Sequence, residues 1–231
     1  MKKVIITAIV LGLMSGVAQA ASYEYSYKQC KDIMKQNPPE INIVYNYGDL
    51  VYDNSKNAEE LVELFKEVEP NHEANNIYGL TALSPHISMK TTVQYDNLNS
   101  GRYCFYPRTI DIKVWYEPKV YILNSLKIGS CRFNVTVRHE QTHLDFGHHA
   151  LPIFAGIIKK ELPQIINDVG PRVESDNNSD ENLAMVAQYL NQDYHKQIEV
   201  LFDEFKEGLD EQNALIDSVE NYQEENLLCQ D

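Results

Sequence analysis

The chain has 231 residues and an acidic composition, with 34 Asp and Glu against 20 Lys and Arg and a formal net charge of −14. This excess of negative charge argues against nucleic acid and anionic membrane surfaces as partners, because both would repel the protein. The length permits one domain of ordinary core size with a helical lobe appended.

Residues 1–20 have the pattern of a cleavable secretory signal. Lys2 and Lys3 form a positive start, an apolar run follows over residues 4–17, and residues 18–20, Ala-Gln-Ala, are typical of a cleavage site. The apolar run is too short for a transmembrane span, and no later stretch reaches about eighteen uninterrupted apolar residues. We therefore expect an exported protein of bacterial type in the periplasm or extracellular space, with no membrane insertion after signal cleavage.

Four cysteines, an even number, accompany this signal. An oxidising compartment favours their pairing into two disulfides. None has the C-x-x-C spacing of a zinc site. Of the three connectivities, we predict Cys104–Cys131, which would clip a strand to the segment before the motif described below. The second predicted pair, Cys30–Cys229, would join the two ends of the mature chain.

The first half of the mature chain is predicted to be rich in strands. Apolar and polar residues alternate in it, which is typical of strands with one buried face. Residues 97–101 predict a turn, and Gly48 predicts another within the first strand region. The strand regions cover residues 41–51, 87–95, 103–106 and 110–116, and one helix is predicted over residues 57–68.

Residues 139–143, His-Glu-Gln-Thr-His, form the H-E-x-x-H pattern. On a helix, His139 and His143 lie one turn apart on one face, so two neutral imidazoles can converge on one zinc ion. The carboxylate of Glu140 can reach water at the metal without binding the metal itself, as a general base must. Apolar residues on both sides of the motif favour a helix. The alternative is a surface helix whose histidines merely face solvent or hydrogen-bond to carboxylates.

After this motif the chain is predicted to be helical to its end. A long amphipathic helix is predicted over residues 181–205, with an interruption at Gly208. A final helix would use Leu215, Ile216, Val219 and Tyr222.

The motif resembles the active-site helix of the zincin metallopeptidases. More narrowly, the region over roughly residues 80–165 is similar to a bacterial family described as predicted secreted zinc-dependent proteases. The features that match in order are a strand over residues 87–95, Cys104, a strand over residues 110–114, Cys131, and H-E-Q-x-H followed by an apolar residue and Asp145. This resemblance implies an α+β, zincin-like fold with a mixed or antiparallel sheet packed on the active-site helix. The metal would lie in a cleft between the sheet and the C-terminal helices.

A catalytic zinc site needs a third protein ligand. His149 is the first candidate, because it lies six residues after His143 as in the pattern H-E-x-x-H-x-x-G-x-x-H, although Phe146 replaces the glycine. On an unbroken helix His149 would point about 120° away from the metal. Glu161 is the second candidate, as a ligand from later in the chain, and Asp145 is expected as an acceptor that orients a histidine. The weaker candidates are Glu174, Glu181 and His195.

We predict three parts: a signal peptide over residues 1–20, a zincin-like α+β catalytic domain over residues 21–170 and a helical C-terminal subdomain over residues 171–231. The predicted function is an exported zinc peptidase that acts on proteins or peptides. Glu140 would take a proton from the attacking water and pass it to the leaving amine. The candidates for stabilising the oxyanion are Tyr194, His195 and Arg172, each more often structural in such positions.

Two other function classes remain open from the sequence. One is a zinc-binding protein of the envelope that catalyses nothing. The other is an exported module without metal that binds a partner through its tyrosine-rich strands, since the chain has 15 tyrosines and tyrosine is enriched at interfaces.

Overall fold

The computed structural model describes residues 22–68, 77–174 and 180–229. The predicted signal peptide over residues 1–20 lies outside this part. The described residues form helices and a five-stranded sheet, which confirms the α+β class. None of the helices described has a stretch long and apolar enough to cross a membrane.

The described elements follow one another in a mixed order of helices and strands. In chain order they are α1 (residues 22–36), β1 (Glu40–Asn46), β2 (Val51–Asp53), α2 (Ala58–Val68), β3 (Gly79–Asn97), β4 (Tyr103–Ile122), α3 (Cys131–Val169), β5 (Arg172–Glu174), α4 (Asp180–Ile216) and α5 (Val219–Leu227). The predicted strands over residues 103–106 and 110–116 are one strand, β4, which continues through Pro107. Gly208 does not interrupt α4 as predicted, and the break comes after Ile216 instead.

β4 is the strand with which each of the other four pairs. β2 runs parallel to it, with Val51 opposite Lys119, and β5 runs antiparallel, with Val173 opposite Cys104. The sheet therefore contains both strand directions. The chain turns at Gly48, where φ is +66°, but β1 and β2 each pair with β4 rather than with one another.

The chain forms two compact units, and each is assembled from three separate segments. The first unit consists of Met1–Asn42, Met89–Ile112 and Glu161–Gln197, and the second consists of Ile43–Ser88, Lys113–Lys160 and Ile198–Asp231. The long elements β3, β4, α3 and α4 each contribute residues to both units. For this reason the units do not follow the predicted division after residue 170.

In the second unit, the first half of α3 packs on the sheet through an apolar cluster. Leu144 of α3 lies in this cluster with Val120 and Ile122 of β4, and Phe133 and Val137 pack against it. Burying one leucine side chain stabilises a fold by about 1.5–3 kcal/mol, so this contact fixes the rotation of the helix on the sheet. The face of α3 that carries the H-E-x-x-H histidines is thereby fixed as well.

Two disulfides are present, and their connectivity differs from the predicted one. Cys30 of α1 is joined to Cys104 of β4, and Cys131 is joined to Cys229. The predicted pairs Cys104–Cys131 and Cys30–Cys229 are wrong. Cys104 is the second residue of β4, and the strand carries the chain away from it by about 3.3 Å per residue before Cys131 begins α3.

Candidate metal centre

The two histidines of the H-E-x-x-H motif are buried on one face of α3 in the second unit. His139 and His143 are each 5% exposed, and their ring centroids lie 5.0 Å apart. Residues four apart on a helix are neighbours, so this pairing follows directly from the sequence once the segment is helical. The alternative is therefore wrong in placing both rings in solvent, whereas its other form, in which the histidines hydrogen-bond to carboxylates, agrees with the contacts described next.

One carboxylate from the end of α4 meets both rings. Oδ1 of Asp217 lies 2.8 Å from Nε2 of His139 and 3.3 Å from Nε2 of His143, and the two Nε2 atoms are 3.2 Å apart. Among the described residues, these three form the group of side chains able to hold a metal ion, with ligand atoms within 4.8 Å of one another. The carboxylate and the two imidazoles thus converge on a single point.

The outer nitrogen of each ring has its own acceptor. Nδ1 of His139 lies 3.1 Å from Oε1 of Glu225, and Nδ1 of His143 lies 3.0 Å from Oδ1 of Asn213. Since these oxygens accept, each Nδ1 carries a proton and donates it, which in a neutral imidazole leaves a lone pair on Nε2. When both rings are neutral, two nitrogen lone pairs and a carboxylate oxygen face one another. Such an arrangement fits a bound cation, and outer acceptors of this kind orient histidine ligands in metal sites.

The pKa values of the cluster also favour positive charge next to Asp217, because those of both histidines are raised and that of Asp217 is lowered. Burial opposes the imidazolium, but the hydrogen bond to Asp217 and the charges of Glu140, Asp217 and Glu225 outweigh it and raise the pKa of His139 to about 9. The pKa of His143 is raised too, for although burial lowers it, the hydrogen bond to Asp217 prevails. Burial alone would raise the pKa of Asp217, but its bonds to both histidines hold it well below its usual range.

The side chain of Glu140 is buried between α3 and the start of β3. Its Oε2 accepts a hydrogen bond from the hydroxyl of Thr81 at 2.7 Å, and a Cβ atom at Gly79 would lie only 2.4 Å from its Oε1. Burial raises the pKa of Glu140 to about 7, against the opposing effects of His143, His139 and the Thr81 bond. A carboxyl with a pKa near neutrality is well suited to accept a proton and to give it back.

The turn between α4 and α5 holds Asp217 in place. Nδ2 of Asn221 donates to the carbonyl oxygens of Leu215 and Ile216 at 3.1 and 3.0 Å. These bonds give partners to two carbonyl groups at the end of α4 that have none within the helix. Ser218 is the N-cap of α5, and its side chain accepts from the backbone N–H of Asn221. Asp217 lies between the two helices, where its side chain faces the histidines.

Tyr222 of α5 contacts the same cluster in two ways. Its ring stacks on the ring of His139, with centroids 5.0 Å apart and an interplanar angle of 26°. Its hydroxyl donates to Oδ1 of Asp217 at 2.7 Å. Tyr222 therefore contacts one histidine and orients the carboxylate.

The structure does not bring His149 to the other two histidines. His149 is exposed, and its Nδ1 lies 2.6 Å from the carbonyl oxygen of Asp145, one turn earlier on the unbroken helix α3. Asp217, and not His149, lies beside the two motif histidines. In the described contacts, Asp145 accepts from His149 through its backbone carbonyl and does not contact a motif histidine. Glu161 lies farther along α3 and belongs to the first unit.

The remaining predicted candidates also belong to the first unit. Arg172 is paired with Asp193, with Nη2 2.7 Å from Oδ2, and Tyr194 is fully buried in the core. The residues in this group are Glu174, Glu181, His195, Arg172 and Tyr194.

Sequence reasoning missed Asp217, Asn213 and Glu225. The predicted helix break at Gly208 concealed Asp217, because the prediction treated Leu215 to Tyr222 as one helical face. An aspartate followed by the N-cap serine Ser218 was the available signal, since such a pair is typical of a helix start. No spacing rule connects it with a histidine 78 residues earlier.

Comparisons of the chain with known protein families, characterised proteins and solved structures found no match.

Proposed function

We propose that this protein is an exported zinc-dependent peptidase of the zincin type, with His139, His143 and Asp217 as the metal ligands. The observation that carries the proposal is the convergence of two imidazole nitrogens and one carboxylate oxygen beside a buried glutamate. Two histidines and one carboxylate are an established ligand set of catalytic zinc sites. The spacing H-E-x-x-H, which resembles that of zincins, favours the same chemistry.

Each residue has a defined role in this proposal. A bound zinc ion would supply Lewis-acid chemistry, polarising a peptide carbonyl and making water acidic enough to react near neutral pH. Glu140, with its pKa near 7, accepts the proton of the attacking water and returns it to the leaving amine. Glu225 and Asn213 hold the rings of His139 and His143 in the orientation that leaves both Nε2 atoms free for the metal.

The proposed substrates are proteins or peptides, and the proposed location is outside the cytoplasm. Two disulfides are typical of proteins in an oxidising compartment. The signal-like pattern of residues 1–20 supports export independently. The net charge of −14 disfavours nucleic acid as a substrate.

The decisive experiment compares the wild type with Glu140→Gln on a peptide library after reconstitution with zinc. Glutamine keeps the size of the side chain and removes its ability to accept a proton. We expect zinc to bind both proteins in a 1:1 ratio and only the wild type to cleave peptides. Cleavage by the variant at the wild-type rate would refute the role of Glu140.

A second candidate function, a metal-binding protein without catalysis, is favoured by the burial of the site. His139, Glu140 and His143 are only 4–5% exposed, which is typical of closed structural metal sites. In that case zinc would raise the melting temperature of the wild type and of Glu140→Gln, and neither of them would cleave any peptide in the library. A third class, a metal-free interaction module, requires that the wild type bind no zinc at all.

A further inference from the structure

The C-terminal segment over residues 217–229 brings three groups to the metal centre. Oδ1 of Asp217 contacts both histidine Nε2 atoms, Tyr222 covers the ring of His139, and Glu225 accepts from Nδ1 of His139. Asp217 immediately precedes the turn into α5, and the other two residues belong to α5. The position of α5 therefore decides whether these groups meet His139.

The described side chains of α5 bury little apolar surface that could hold the helix in this position. It has nine residues, fewer than the roughly 12–15 at which isolated helices become even marginally stable. Among its described side chains only Glu225 is half-buried, while Tyr222 is 44% exposed and Leu227 is 63% exposed. Apolar burial is the usual source of helix docking, and the described side chains of α5, residues 220–227, contribute little of it. A different kind of restraint must keep the helix in place.

The Cys131–Cys229 disulfide provides that restraint. Cys131 is the first residue of α3, about two turns before His139 on the same helix, and Cys229 follows the end of α5. Next to the disulfide, Nη1 of Arg132 donates to Oδ1 of Asn226. The covalent bond thus attaches the end of α5 to the helix that carries the motif. Such a tether raises the effective concentration of the attached groups at their binding site.

We infer that the Cys131–Cys229 disulfide is a positioning element of the metal centre, which holds Asp217, Tyr222 and Glu225 against His139 and so strengthens metal binding. The inference rests on the proposed metal centre and adds that the centre is complete only when this disulfide is closed. Closing it oxidises two thiols, whose two electrons and two protons pass to a disulfide-containing oxidant by thiol–disulfide exchange. High metal affinity therefore arises in an oxidising compartment.

The two disulfides of the chain supply a matched pair of variants for the test. Cys131→Ser/Cys229→Ser opens the proposed tether, and Cys30→Ser/Cys104→Ser opens the other bond, which lies in the first unit. Serine replaces cysteine so that no free thiol can bind zinc. Zinc dissociation constants are measured by competition with a chromophoric chelator. We expect weakening by roughly 10- to 100-fold for the first variant, the range found when outer partners of metal ligands are lost, and no weakening for the second.

A third variant keeps both disulfides and loosens the tether only. It carries Gly-Ser-Gly inserted between Leu228 and Cys229, and we expect zinc binding weaker than in the wild type. Amide hydrogen exchange over residues 219–227, measured with a chelator present, is expected to be faster in this variant and in Cys131→Ser/Cys229→Ser than in the wild type. This readout does not depend on metal, and because exchange is resolved along the chain it distinguishes a loosened α5 from a poorly folded variant.

The outcomes separate this inference from the proposed function. Failure of the oxidised wild type to bind zinc would overturn both. Zinc binding by the wild type with an equal dissociation constant in Cys131→Ser/Cys229→Ser would overturn the positioning role alone. Equal weakening in both disulfide variants would also overturn it, because the effect would then be one of general stability.

Discussion

Oδ1 of Asp217 lies 2.8 Å from Nε2 of His139, although 78 residues separate them in the chain. The same oxygen lies 3.3 Å from Nε2 of His143. Because Nδ1 of each ring already has an acceptor in Glu225 or Asn213, the Nε2 atoms are the ones directed at this oxygen. This relationship supports Asp217, rather than His149, as the third ligand of the proposed centre.

Replacement of Asp217 by asparagine is expected to weaken zinc binding by more than about 100-fold. The loss of a charged ligand should exceed the roughly 10- to 100-fold cost of losing an outer partner. His149→Ala is the matched control and should bind zinc as the wild type does, since His149 is exposed and contacts only the backbone of Asp145 in the described hydrogen bonds. Chelator competition measures both. The reverse result, a weakened His149→Ala and an unaffected Asp217→Asn, would return the ligand role to His149.

Replacement of Thr81 by valine is expected to shift the pH dependence of catalysis. The hydroxyl of Thr81 donates to Oε2 of Glu140 and lowers the pKa of that carboxyl. Valine removes the bond, so the pKa of Glu140 rises and the acidic limb of kcat/KM moves to higher pH. Thr81→Ser keeps a hydroxyl and should keep the wild-type profile. An identical acidic limb in all three proteins would mean that Glu140 does not control it.

A side chain at Gly79 is expected to disturb Glu140. The Cβ of alanine there would lie 2.4 Å from Oε1 of Glu140 and 2.7 Å from Cγ2 of Thr136, so both must move. Overpacking of this kind costs about 1–3 kcal/mol in the free energy of unfolding. Gly208→Ala in α4 is the control: nothing lies within 4 Å of its Cβ, and alanine in a helix gains up to about 1 kcal/mol. Urea unfolding of the two variants should give opposite signs, and equal effects would contradict the clash.

The stability of the protein in the presence of a chelator is expected to fall as the pH rises from about 6.5 to 9. The pKa of His139 is raised to about 9 in the folded protein, so its protonation contributes stability that is complete below about pH 6.5 and lost as the pH passes 9. Glu140, with its pKa raised to about 7, acts in the same direction. Asp217 acts oppositely: its depressed pKa contributes stability above about pH 4 that is lost on further acidification.

Urea titrations at a series of pH values test this expectation. His139→Gln removes the group with the highest of these pKa values and should flatten the decline above pH 7. Saturating zinc should also flatten it, because bound histidines are neutral and metal competes with protons. If the wild-type protein with chelator present were equally stable at pH 6 and pH 9, the pKa of His139 would not be raised in the folded protein.

Local sequence patterns predicted those helices and strands whose formation depends on contacts between residues close in the chain. The alternation of residues 110–116, the helix from Asn57 and the helical motif of His139 and His143 all have counterparts in the structure. The helix from Asn57 begins with a reciprocal pair of bonds, in which the Asn57 side chain accepts from the N–H of Glu60 and the Glu60 side chain accepts from the N–H of Asn57. These features arise from contacts within a few residues, which a single sequence displays directly.

The disulfide pairing and the third ligand could not be obtained in this way. The even number of cysteines indicated two bonds, but the partner of each cysteine depends on where β4 and α5 end. No local sequence pattern identifies Asp217 as a metal-ligand candidate among the acidic residues of the C-terminal helices. Its position depends on where α4 stops, and the prediction placed that point at Gly208.

The sequence by itself determined that two histidines and a glutamate share one face of a helix, because residues three and four apart are always neighbours on a helix. Only the tertiary structure decided which side chain completes the group. Contacts between residues 78 apart depend on the packing of whole elements, and here on the bond that ties Cys229 to the start of α3. That long-range packing brings Asp217, Asn213 and Glu225 to the histidines and leaves His149 in solvent.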